Sequence, residues 1–163
     1  MRCFAADSRL LRLRLGLALG LVACAIGCGP IGPFPGGRLA GDVQPFPSAW
    51  TNWANIENYQ LETNPEDPHS INIWGVVVES QFYIPTSLIL GTDVPAERTW
   101  VENVGRDPRV RLRAGDTVFE LLAVRVEDPA EREAARDALI AKYEIDRDAH
   151  SEGAWVFRLD PRR

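Results

Sequence analysis

The sequence predicts a mainly β domain of antiparallel strands with one principal helix, and three stretches carry that expectation. Residues 71–78 and 82–87 are rich in β-branched and aromatic side chains and flank the polar Glu79-Ser80-Gln81, which reads as a hairpin. Residues 109–113 and 117–126 flank Gly115-Asp116, a Gly-first two-residue turn of the type II′ kind. Asp128-Pro129-Ala130-Glu131 carries the start signals of a helix: an N-cap acid, proline at the first helical position, and an acid where a capping box needs one.

Taken from the front, the chain begins with an export signature. Arg2, Arg9, Arg12 and Arg14 precede residues 15–26, which hold no charge and six Leu, Val or Ile side chains. A basic region ahead of an apolar run this short reads as a secretory signal, not a spanning helix. All three cysteines, Cys3, Cys24 and Cys28, lie in the first 28 residues. Leu21-Val22-Ala23-Cys24 resembles a bacterial lipobox and is favoured; Ala25-Ile26-Gly27-Cys28 fits that pattern less well at its first position but leaves a longer apolar run. Residues 1–23 are therefore expected to be a lipoprotein signal peptide, with Cys24 or Cys28 acylated. That places the protein in the bacterial cell envelope, lipid-anchored, on the periplasmic side of the outer membrane. The membrane is the expected partner, because a multiply acylated cysteine holds a domain there without a spanning helix.

Residues 24–47 are dense in glycine and proline (Gly29-Pro30, Gly32-Pro33, Pro35-Gly36-Gly37, Pro45, Pro47), so they read as a tether. Residues 48–163 form the domain. Trp50, Trp53 and Ile56 suggest at best a short helix, with the tryptophans either lining a ligand pocket or, as the commoner use, packed in the core or capping a barrel end. Residues 59–63 alternate as a first strand, and 64–69 form a loop with two prolines. Gly75 interrupts the 71–78 strand where a bulge or a close backbone approach is expected, and Pro85 ends its partner. Residues 99–105 read as a short helix with Trp100, Asn103 and Val104 on one side, broken by Asp107-Pro108. In the Gly115-Asp116 hairpin, Leu112 faces Phe119, Val110 faces Leu121, and Arg111 faces Glu120. The principal helix spans 129–143, and 154–159 is the final strand.

Composition excludes several functions. Without residues 1–23, Lys plus Arg falls from 18 to 14 and Asp plus Glu from 23 to 22, a net charge of −8. That balance argues against nucleic acid as a partner. From residue 29 onward there is no cysteine, so no disulfide framework or thiolate metal site forms there. His69 and His150 stand apart in polar stretches with no ligand-spaced companions, so no metal site is expected. No phosphate loop, dinucleotide fingerprint or nucleophile elbow occurs. Arg106, Arg109, Arg111 and Arg113 form the one basic cluster of the mature chain. The last three share a strand face, either as a guanidinium comb for a phosphate or as a solvated surface.

The string Trp100-Val101-Glu102-Asn103-Val104, followed by Asp107-Pro108-Arg109-Val110, resembles the FMN-binding split barrels. This superfamily includes pyridoxamine phosphate oxidases and deazaflavin-dependent nitroreductases. The resemblance covers about residues 59–159 and implies an antiparallel split β-barrel. By carry-over it also implies a cofactor site at Thr86, Ser87, Arg98, Trp100 and Asn103, taking FMN or a deazaflavin, and a possible homodimer. Two elements differ from the family pattern. A Gly-Gly before the tryptophan is replaced by Ser87-Leu88-Ile89-Leu90-Gly91, and an upstream Gly-Arg-x-Ser-Gly is absent. Two functions follow as expectations. One is an envelope-anchored, non-catalytic or degenerate module that binds a small ligand or a partner. The other is a flavin- or deazaflavin-dependent oxidoreductase, nitroreductase-like, acting on a small organic substrate.

Overall fold

The computed structural model describes residues 29–87, 95–146 and 153–162. The signal segment, Cys3, Cys24, Cys28 and His150 lie outside the described residues. Eight strands form one mostly antiparallel sheet curled into a half-barrel: β1 (Asp42–Gln44), β2 (Tyr59–Thr63), β3 (His69–Ile73), β4 (Val76–Val78), β5 (Gln81–Pro85), β6 (Arg109–Ala114), β7 (Thr117–Arg125) and β8 (Val156–Pro161). Their order is β3-β2-β6-β7-β8-β5-β4, and β1 joins the side of β7 in parallel. Among the described residues the two α-helices are α1 (Thr99–Arg106) and α2 (Pro129–Lys142).

The β6–β7 hairpin has the predicted register, with Leu112 opposite Phe119, Val110 opposite Leu121 and Arg111 opposite Glu120. Gly115 sits at φ +63°, as the first position of a type II′ turn requires. At α2 the Asp128 carboxylate accepts the Glu131 backbone N–H at 2.7 Å. The Glu131 carboxylate faces the sheet, where it accepts from the Tyr83 hydroxyl at 3.0 Å and from Arg158 at 2.8 Å.

Where β4, β5 and β8 meet α2, the sheet is buried on both faces. Its inner face carries Leu61, Phe82, Ile84, Leu112, Phe119, Leu121 and Leu159, closed at one end by Trp50. Trp50 packs edge-on against Phe119 at 5.0 Å and tilted against Phe82 at 4.9 Å. The alternate residues Val76, Tyr83 and Val156 face outward against Ala135 and Leu139 of α2. Period-two alternation on β5 and β8 thus feeds two cores at once.

Three expectations are corrected. Residues 71–78 are not one strand: β3 pairs with β2 and β4 with β5, and the chain turns a corner at Trp74-Gly75. The cause is close approach, since a Cβ on Gly75 would lie 2.5 Å from Phe82 Cε1. Residues 50–56 form turns, not a helix. Nor do the described residues of 24–47 hang free as a tether. Gly36 exchanges both backbone hydrogen bonds with Ser70 of β3, each at 2.8 Å, and β1 extends the row beside β7 that β8 does not reach. Glycine and proline density excludes a regular central strand, but it does not exclude a strap laid along a sheet edge.

That strap also settles the arginine comb. Leu39, 1% exposed, donates its backbone N–H to Glu62 Oε2 at 2.6 Å, and Glu62 is itself 2% exposed. Arg111 donates to the same Glu62 oxygen at 2.8 Å and to Leu39 O at 3.0 Å. Arg113 reaches Ala40 O at 3.2 Å, and Arg109 pairs with Asp107. The carboxylate that neutralises Arg111 is therefore Glu62 and not its cross-strand neighbour Glu120, which meets Arg162 at 3.5 Å. Arg111 and Arg113 thus hold the strap, while Arg109 is taken by Asp107 at the end of α1.

Candidate functional site

The edge strand β3, the exit of β5 and the first turn of α1 surround a cleft of about 370 Å³. Its apolar wall comes from Ile71, Ile73, Trp74, Pro85 and Trp100; Asn58, Asn72, Thr86, Ser87 and Arg98 supply polar groups. A second lobe of about 370 Å³ shares Ile71, Asn72, Arg98 and Trp100 with it, and its far wall is the strap at Gly32–Pro35. Arg98 stands where the two lobes meet.

Local sequence explains the placement. Arg98 is the N-cap residue of α1, in extended conformation, and its carbonyl accepts the Val101 and Glu102 N–H groups at 2.9 and 3.0 Å. The helix then carries Trp100, Val101, Asn103 and Val104 into the core, so its buried face anchors the residue that precedes it. Trp100 is 3% exposed and packs against Phe157 with ring centroids 5.1 Å apart. It is a core anchor whose remaining surface lines the cleft. Opposite, Trp74 leaves the sheet at the Gly75 corner and stacks on Tyr143 at 4.4 Å and 10° between planes.

The Gly75 corner is held from below. Its N–H donates to the Tyr143 hydroxyl at 3.0 Å, and that hydroxyl donates to Glu57 O at 2.9 Å. Lys142 donates to Gly75 O at 2.8 Å, Ala54 O at 2.8 Å and the Tyr59 hydroxyl at 3.0 Å. Burial pulls the Lys142 pKa down to about 8. Burial, followed by Tyr143 close by, pushes the Tyr59 phenol far above its ordinary range. Burial likewise raises Tyr143. The stacking face of Trp74 is thus set by α2, not by β3 itself.

Of the five residues singled out in the sequence, four meet here. Ser87, Arg98 and Trp100 line the cleft with their side chains half-buried or buried. Thr86 also lines it, but its Oγ1 accepts the Trp155 backbone N–H at 2.9 Å while its own N–H donates to Trp155 O at 2.8 Å. That hydroxyl extends the β5–β8 ladder by one rung and retains its proton and one lone pair for a ligand. Asn103 lies elsewhere: 5% exposed, it donates to Thr63 Oγ1 at 3.0 Å and ties α1 to β2. Sequence reasoning missed Trp74, Asn72 and Asn58. Asn72 and Trp74 were legible as one strand face beside an interrupting glycine; Asn58 gave no signal.

The described lining of the first lobe offers one guanidinium, two hydroxyls, two carboxamides and two indoles. Those groups bind and orient. A guanidinium stays protonated at any ordinary pH, and hydroxyls and carboxamides do not exchange protons near neutrality.

No family model matches the sequence, and no curated protein matches it significantly. Solved structures do. A conserved hypothetical protein from Mycobacterium tuberculosis is similar at 22% identity over 69% of this chain and 78% of that chain, TM-score 0.52. A candidate 5-nitroimidazole antibiotic resistance protein from Bacteroides thetaiotaomicron matches at 11% identity over 69% and 80%, TM-score 0.52. A protein of unknown function from Agrobacterium tumefaciens matches at 15% identity over 68% and 52%, TM-score 0.50. At these identities the likeness is one of fold, and the fold is the antiparallel split barrel that the sequence resemblance implied.

Proposed function

We propose that this protein is an envelope-anchored split-barrel lipoprotein that binds a planar aromatic anion in the cleft between β3 and α1, without itself catalysing a reaction. The observation that carries this reading is Arg98 at the junction of two lobes, beside the indoles of Trp74 and Trp100. A mostly apolar cleft of this size with a few convergent polar groups is the usual form of a small-ligand site. Aromatic walls suit a flat ring, and a guanidinium suits a phosphate or carboxylate. The lipobox at Cys24, with Cys28 as the second candidate, supports the anchor, and the mature charge of −8 argues against nucleic acid as a partner.

The alternative is an oxidoreductase using FMN or a deazaflavin, and the fold likeness to the candidate nitroimidazole resistance protein favours it. The cleft fits such a group in part. Arg98 and Ser87 would hold its phosphate and the two indoles would flank its ring, whereas Thr86 has one bond spent and Asn103 faces Thr63. When bound, the cofactor would supply hydride chemistry; the chain's own residues would orient it.

Titrating the mature chain with FMN, a deazaflavin and pyridoxal phosphate, read by tryptophan fluorescence, tests both readings. At least one should saturate, and Arg98→Ala should weaken it roughly tenfold to a hundredfold, since a charge-assisted contact is worth about 1.5–3 kcal/mol. No saturation by any of the three at high micromolar concentration overturns the ligand class. Binding that Arg98→Ala leaves unchanged moves the site elsewhere. Reduction of a nitroaromatic substrate by the loaded protein would select the oxidoreductase.

A further inference from the structure

We propose that the turn Ile31-Gly32-Pro33-Phe34 is a membrane-docking tip that inserts its two apolar side chains into the lipid surface; the proposal rests on the lipid-anchor reading given above. Ile31 and Phe34 are 73% and 72% exposed, the most exposed large apolar side chains among the described residues. They form an antiparallel bridge, with Ile31 N–H to Phe34 O at 3.1 Å and Phe34 N–H to Ile31 O at 3.0 Å. Directly paired residues project their side chains to the same side, so the two exposed groups make one patch.

The patch is held in a defined place. Pro30, Pro33 and Pro35 fix φ at three positions in and around the turn. The Asn72 carboxamide donates to Gly32 O at 2.8 Å, and the Gly36–Ser70 pairing secures the other side. An apolar tip that is exposed, paired and braced loses little conformational freedom when it is buried in something else.

Chain length identifies what would bury it. Only three peptide steps separate Cys28 from Ile31, and seven separate Cys24 from Ile31. At no more than about 3.6 Å per residue, an acylated Cys28 keeps the tip within roughly 11 Å of the lipid, and an acylated Cys24 within roughly 25 Å. Apolar faces of surface-bound segments sit about 5–10 Å into the headgroup boundary, so the shorter leash nearly enforces contact. The mature charge of −8 makes an electrostatic attachment unfavourable, so the contact is apolar and insensitive to salt.

The test uses the full chain expressed with its own signal in a bacterium. Ile31 or Phe34 is replaced by photoreactive p-benzoylphenylalanine, and Val124, an exposed apolar residue of β7, serves as the control. Cells are fractionated, washed in high salt and illuminated, and adducts are identified by mass. The expected result is a membrane-bound chain with phospholipid adducts at positions 31 and 34 and none at 124. A membrane-bound chain with no lipid adducts at 31 and 34, or with equal adducts at 124, overturns the docking tip and leaves the anchor standing. Adducts at 31 or 34 to a second copy of the chain overturn it in favour of a dimer contact. A chain found in the soluble fraction removes the anchor and the docking tip together.

Discussion

Replacing Glu62 should release the N-terminal strap before it unfolds the barrel. The carboxylate is 2% exposed and serves three partners: the Leu39 N–H at 2.6 Å, Arg111 at 2.8 Å and Arg38 at 3.5 Å. Arg111 is only 14% exposed, so Glu62→Ala leaves a nearly buried guanidinium without its counter-charge, a loss of about 3–5 kcal/mol. The Arg38 contact adds little, because that side chain is 56% exposed and surface pairs contribute about 0–1 kcal/mol. Glu62→Gln keeps one oxygen for the Leu39 N–H and Arg111 but loses the charge and turns the atom that meets Arg38 into a donor, so about 1.5–3 kcal/mol is expected. With a urea m-value of about 2 kcal/mol per molar, the alanine variant's midpoint should fall by roughly 2 M and the glutamine variant's by about half that. The local readout is trypsin. The Arg38–Leu39 bond carries the very N–H that Glu62 holds, so cleavage there should accelerate in both variants at urea concentrations where tryptophan fluorescence is still native. Equal cleavage rates at Arg38 in wild type and both variants would refute the strap mechanism, whatever happens to global stability.

Two further outcomes follow from the Gly75 corner. Gly75→Ala should cost about 1–3 kcal/mol in urea denaturation, because the new Cβ meets Phe82 at 2.5 and 2.6 Å within a packed core. A variant as stable as wild type would show that the Phe82 ring yields freely. Stability should also peak near pH 10. The Lys142 pKa of about 8 lies below its ordinary 10.5, so between those values the unfolded chain binds more protons and stability rises with pH, by on the order of 1 kcal/mol once solvent screening of a half-exposed group is allowed for. Above pH 10 the sign reverses: Tyr83, pushed up to about 12 by burial and then by its bond to Glu131, and the still higher Tyr59 keep protons that the unfolded chain gives up. Lys142 is the sole lysine in the sequence, so Lys142→Met should abolish the rise and keep the fall. A wild-type urea midpoint that declines steadily from pH 7.5 to 11 would contradict this.

What the sequence disclosed depended on whether the signal was local. The Gly115-Asp116 turn and the Asp128-Pro129 cap are decided within four residues, and both appear with their expected geometry. The corner at Trp74-Gly75 was half legible: glycine announced a close approach, but its partner Phe82 lies across another strand. The strap was illegible, because its folding depends on Glu62, a buried acid inside an alternating strand, and on arginines seventy residues downstream. A lone glutamate in a strand pattern looks like a solvent-facing residue until the chain that covers it is in place. The place of Asn103 was hidden for the same reason, since its partner Thr63 lies forty positions away.

The distribution of charge then bears on binding against catalysis. Three of the charged clusters among the described residues each join two parts of the chain. Glu62 with Arg111 fastens the strap, and Glu131 with Arg158 and Tyr83 fastens the start of α2. Lys142 with Tyr59 fastens the end of α2 to the Gly75 corner. In the first two, acid and base neutralise each other across the sheet; in the third, the ammonium donates to two carbonyls and a phenol. A proton-transfer catalyst needs a titratable group that faces its substrate and is not held by other bonds. The acids and the lysine of these three clusters are committed to assembly, whereas the cleft receives the Arg98 guanidinium, whose charge is constant over the working range of pH, and in its second lobe His69 and Glu97. Such a cleft has the groups to recognise an anion and to hold an aromatic ring, with the imidazole of His69 and the carboxylate of Glu97 at its second lobe.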